Sequence, residues 1–156
     1  MLTLSYGVIS EPLLVGSYPQ TPEDVLHLIS LGVRGVLNLQ SDEDLSDRGV
    51  SWDLFWRFYT SKGVQAVRHP IPDFSPGELS KHLATAVDAL DRVVGPAPGR
   101  KTYLHCTAGV NRSPTVAIAW LMRRHGLSRL DAQAQVLAAR PVARPYPEVL
   151  DRWERR

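Results

Sequence analysis

His105-Cys106-Thr107-Ala108-Gly109-Val110-Asn111-Arg112-Ser113 is the stretch that decides the fold. Ahead of it, Lys101-Thr102-Tyr103-Leu104-His105 reads as a strand. Behind it, Arg112 opens a strongly apolar helical pattern through Met122. A strand passing into a helix through a short glycine-bearing turn is the unit from which α/β sheets are built. In such a turn the backbone N–H groups curve around a point above the helix N-terminus, where the dipole favours an anion.

Outward from this segment, short apolar runs alternate with helical patterns. Leu13-Leu14-Val15-Gly16 reads as a strand, followed by a helix with Thr21 as N-cap, Pro22 in the first turn and Asp24 at the capping-box position. Val25, Leu28 and Ile29 form its apolar face and Gly32 ends it. Val33 to Leu39 reads as a buried strand, Ser41 to Gly49 as a polar solvated stretch, and Ser51 to Ser61 as an aromatic-rich helix. Val64 to His69 alternates as a strand does. Pro70 to Gly77 is expected to be a loop, broken by its prolines and Gly77, with a long helix over Glu78–Val94. Ser128 caps a helix over Arg129–Ala139, and the tail from Pro145 suits one more short helix.

The chain has 156 residues, 44% of them hydrophobic and 22% charged, the composition of an ordinary globular domain. That length suits one domain over residues 1–156. No apolar run approaches the roughly 20 residues of a membrane span, and Met1 to Ser10 lacks the features of a secretory signal. The net charge of +2, from 18 basic and 16 acidic side chains, gives no reason to expect nucleic acid as a partner. A single cysteine excludes an internal disulfide and a cysteine-built metal cage, and points to a reducing, cytoplasmic setting.

The chemistry gathers on the turn. Cys106 opens it and Arg112 closes it, so a guanidinium fork can hold two phosphate oxygens while the sulfur lies in line with phosphorus. A helix N-terminus and neighbouring cations favour the reactive thiolate. Gly109 allows close backbone approach or positive φ, and Asn111 can adopt the same left-handed conformation. Ser113 can donate a hydrogen bond to the sulfur.

His105-Cys106-x-x-Gly109-x-x-Arg112-Ser113 resembles the signature of the cysteine-dependent phosphatases, and the short chain is similar to their dual-specificity group from about Tyr6 onward. The resemblance implies an α/β fold with a central, mostly parallel sheet of about four or five strands flanked by helices. It implies phosphomonoester hydrolysis through a phosphocysteine intermediate, with no cofactor and no metal. Cys106 would be the nucleophile, Arg112 the phosphate clamp, and Thr107, Ala108, Gly109, Val110 and Asn111 the phosphate-binding loop, open to phosphate, sulfate or vanadate. Asp73, on the proline-rich loop 33 residues before Cys106, matches the family's general acid. His105 would support the loop, as would the Arg140-Pro141 and Pro145-Tyr146-Pro147 segments. His69 and His82 are expected at the surface or in packing. Asp42, Glu43, Asp44 and Asp47 are expected to be solvated.

Within the group, Leu14 to Asp24, Leu37 to Asp44 and Cys106-Thr107-Ala108-Gly109 resemble plant phosphoglucan phosphatases and laforin. Phe74 falls on their glucan-contacting aromatic. The sequence departs from them at Asn111, where they carry Gly, and at Ser113, where the plant enzymes usually carry Ala. Asp47-Arg48 and Arg92 replace aromatic residues of their glucan channel. Trp52, Trp56 and Tyr59, at helical spacing, are expected in the core, with a rebuilt glucan platform as the alternative. The expected substrate is a phosphorylated glucan or, alternatively, a protein bearing phosphotyrosine or phosphoserine/phosphothreonine. A phosphate-binding module without turnover is a third reading, opposed by the intact Cys106, Arg112 and Asp73.

Overall fold

A computed structural model describes residues 1–156. Strands β1 (Tyr6–Ser10), β2 (Leu13–Gly16), β3 (Val33–Asn38), β4 (Gln65–Arg68) and β5 (Lys101–His105) form one sheet in the order β1-β2-β5-β3-β4. Only β1 runs antiparallel, to β2; the other pairs are parallel. Strand β5 lies between β2 and β3, so the turn after it emerges at the middle of the sheet. This is the carboxyl edge of the parallel strands, where α/β sheets bind ligands.

Side chains alternate across the sheet, and both faces are covered, as parallel sheets require. Leu13, Val15, Leu37 and Leu104 point into a cluster of 26 buried residues shared with α4 (Pro76–Val94), α5 (Arg112–His125), α6 (Arg129–Ala139) and α7 (Pro147–Glu154). Leu14, Val33, Val36 and Tyr103 face a cluster of nine with α1 (Pro22–Ser30) and α3 (Trp52–Ser61). No helix is long and apolar enough to cross a membrane.

Several local expectations change. Ser41 to Gly49 is not an unstructured polar stretch: α2 (Asp42–Asp47) forms there, closed by a capping box between Ser41 and Asp44. Helix α4 begins at Pro76, because Ser75 caps it and a proline suits the first helical position, where no N–H is required. Thr21 does cap α1, but Asp24 does not complete a capping box; its buried carboxylate accepts from Gln20 N–H and from Thr3 N–H and hydroxyl, tying down the chain start. In α3, Tyr59 is buried and Trp52 packs beside it, whereas Trp56 is 44% exposed, since the short helix has only one core-facing side. His69 and His82 pack edge to face.

Candidate active site

The turn 106–111 is held from outside by its carbonyls. Arg140, itself buried, donates from Nε to Gly109 O (2.7 Å) and from a terminal nitrogen to Ala108 O (3.0 Å). Tyr18 N–H donates to Thr107 O and Arg144 N–H to Val110 O. His105 donates from Nδ1 to the Cys106 carbonyl (2.9 Å). Burial holds the His105 ring down at about 4, so it is neutral and needs no counter-ion. Gly109 N–H points at Cys106 Sγ (3.3 Å), and the Ser113 hydroxyl reaches the same sulfur (3.3 Å).

Gly109 adopts φ +70°, and a Cβ there would stand 2.3 Å from the Gly16 carbonyl carbon. Both the left-handed backbone and the approach of β2 therefore demand glycine. Asn111 does not share this conformation. It sits at φ −109° as the N-cap of α5, and its side-chain amide donates to Arg144 O (2.7 Å) instead of adopting a left-handed turn.

Arg112 is 1% exposed. One terminal nitrogen donates to Asp44 Oδ2 (2.6 Å) and to Ile71 O (2.9 Å), and the other lies 3.0 Å from Asp73 Oδ2. Its buried Nε–H has no partner in the protein. An orphaned, cationic donor at the start of the helix that follows the Cys106 turn suits an oxyanion, which would satisfy it. The half-buried Asp73 comes from the β4–α4 loop and also accepts from Phe74 N–H. Phe74 is 83% exposed and has φ 55°, a strained value that a side-chain-bearing residue seldom adopts.

Cys106, Arg112, Asp73 and Ser113 thus meet around one cup. Two further residues escape the sequence reading. Asp44 is no solvated loop residue; α2 carries it to Arg112. Burial opposes its charge, but the Arg112 hydrogen bond and the Ser41 donors outweigh burial and hold the carboxyl below the usual carboxylate range. The Ser41-x-x-Asp44 capping pattern was the available signal. Buried Gln40 donates from Nε2 to the Thr107 hydroxyl (3.0 Å), linking the end of β3 to the turn; nothing in the sequence marks it.

Residues 13–152 match the family model described as dual specificity phosphatase, catalytic domain. The chain is 36% identical over 132 residues to phosphoglucan phosphatase DSP4, amyloplastic, of Castanea sativa, covering 84% of this chain and 35% of that protein. It is 32% identical over 109 residues to dual specificity protein phosphatase 18 of Mus musculus, covering 70% of this chain and 56% of that one. The chain therefore spans roughly a third to a little over half of these curated relatives. The solved structure of Tk-PTP in the active form superposes with TM-score 0.70 at 30% identity, covering 97% of each chain. The chain belongs to the family of dual specificity phosphatase catalytic domains.

Proposed function

We propose that the protein is a cysteine-dependent phosphatase that hydrolyses phosphomonoesters in two displacements. The observation that carries this is Cys106 Sγ taking the Gly109 N–H and the Ser113 hydroxyl at 3.3 Å each, while Arg112, closing the same turn, keeps an orphaned buried Nε and holds Asp73 at 3.0 Å. In the first step the sulfur attacks phosphorus, the P–O ester bond breaks, and Asp73 gives its proton to the departing oxygen. In the second, water attacks the phosphocysteine, Asp73 takes the proton from that water, and the sulfur leaves with the Ser113 hydroxyl bonded to it. Thr107 through Asn111 supply the N–H donors that hold the equatorial oxygens through both steps. A lone reduced thiol of this kind fits the cytoplasm.

Two substrate classes suit the cup. Similarity to DSP4 and the exposed Phe74 beside Asp73 support a phosphorylated glucan. Similarity to dual specificity protein phosphatase 18 supports a phosphoprotein. Phosphate release from solubilised phosphoglucan and from phosphopeptides, measured side by side, separates them. Phe74→Ala selectively weakens glucan turnover under the first; equal loss on an aryl phosphate counts against it. For the reaction itself, Cys106→Ser abolishes turnover and keeps vanadate binding. Turnover near that of the unsubstituted protein would refute the nucleophile assignment, and an unsubstituted protein that binds phosphate without releasing it would be a binding module.

A further inference from the structure

Two neighbouring strand ends emerge at the middle of the sheet: β5 runs into the turn, and β3 continues to Leu39, whose N–H donates to His105 O (2.8 Å). Gln40, the next residue, is buried and tied down along its length. Its N–H donates to Asn38 Oδ1 (2.7 Å), its carbonyl accepts from Arg68 (2.7 Å), and its Nε2 donates to the Thr107 hydroxyl oxygen (3.0 Å). Arg68 is in turn paired with Asp42 of α2 (2.9 Å). Ser41 then caps α2, which carries Asp44 to Arg112. One buried residue therefore bonds to the phosphate-binding turn and leads directly into the helix that holds the guanidinium.

Burying an amide is costly unless it is hydrogen-bonded, and an apolar side chain would fill the place without that cost. What the amide adds is direction. A peptide unit is planar, with its N–H opposite its carbonyl. The bonds from His105 to Cys106 O and from Tyr18 to Thr107 O therefore set the aim of the Thr107 and Ala108 N–H groups. Thr107 joins those two peptide units, and Gln40 holds its side chain. We propose that Gln40 is a positioning residue for the phosphate-binding turn: through Thr107 it keeps the first N–H donors of the turn aimed at the oxygens of five-coordinate phosphorus. This rests on the phosphatase reading above and adds a residue to its site. Gln40 touches no substrate atom; it acts by removing a rotation that the turn would otherwise have to lose in the transition state, where preorganised donors matter most.

The test compares Gln40→Leu, which keeps much of the volume and loses the donor, with Thr107→Val, which loses the acceptor, and with the double variant. The readout is inhibition of aryl phosphate turnover by vanadate, which takes the five-coordinate geometry, and by inorganic phosphate, which stays tetrahedral. Each single variant lowers kcat and vanadate affinity roughly tenfold, the worth of one neutral hydrogen bond. KM and phosphate affinity change by less than about twofold, because the ground state is held as before. The double variant loses no more than the weaker of the two single variants, since both substitutions remove the same bond. Both inhibitors bind only folded protein, so a lower melting temperature by itself leaves the ratio of their affinities unchanged. If Gln40→Leu does not fold, the ratio measured for Thr107→Val decides alone. An unchanged ratio overturns the proposal, and so do losses that multiply in the double variant. Failure of the underlying reading looks different: the unsubstituted protein would release no phosphate from the aryl ester.

Discussion

Arg112 stands between two carboxylates that have different work to do. In the proposed reaction Asp73 moves a proton, whereas Asp44, fixed by Ser41 and α2, orients the guanidinium. Asp44→Asn keeps the shape and removes the charge, so the fork loses a charge-assisted bond worth about 1.5–3 kcal/mol. The expected result is a roughly 10–100-fold lower kcat/KM and a matching loss in vanadate affinity, with the fold intact by circular dichroism; unchanged vanadate binding would remove Asp44 from the site. Asp73→Asn costs roughly 10²–10⁴-fold on alkyl phosphates and far less on an activated aryl ester, whose oxygen leaves without a proton. Equal losses on both esters would place the acid elsewhere. At this scale Cys106 and Arg112 were legible, because their spacing within one turn is local. Asp44 was not, since the Ser41-x-x-Asp44 cap marks a helix start but says nothing of a partner 68 positions away.

Elements position these residues through the contact of β2 with the turn. Gly16 and Gly109 meet backbone to backbone, and a Cβ at Gly16 would also stand 2.5 Å from the Tyr103 hydroxyl. Gly109→Ala must both strain the left-handed backbone and push β2 away, costing on the order of 1–3 kcal/mol in stability. Activity on an aryl phosphate falls further than that loss of folded protein explains, because the N–H groups lose their aim; a variant with normal midpoint and normal turnover would contradict the account. The strand–turn–helix unit was readable because its period and glycine lie close together in sequence. Strand β1 went unread because it is a short edge strand whose only partner is β2, and α2 because a six-residue acidic helix shows its cap but no apolar stripe.

Across the whole molecule, burial of a neutral histidine under the active site couples folding to pH. His105 binds a proton near 6.5 when unfolded and only near 4 when folded. The unfolded chain therefore takes up more protons between those values, and stability is full above pH 6.5 and falls as pH drops toward 4, by about 3 kcal/mol at most. Urea midpoints measured from pH 7 to pH 4.5 should decline, and His105→Gln should flatten that decline; an identical slope in the variant would mean that other groups cause it. The carboxylates held low by their partners, Asp24, Asp44 and Asp91, add their losses only at lower pH. The proposed reaction requires this architecture to present one sulfur to one phosphorus atom. Rapid acid quench of the protein during turnover of an aryl phosphate, followed by peptide mass spectrometry, tests that most directly. The account predicts one phosphoryl group on the peptide containing Cys106; steady turnover with no phosphorylated Cys106, or with the phosphoryl group on another residue, would contradict it.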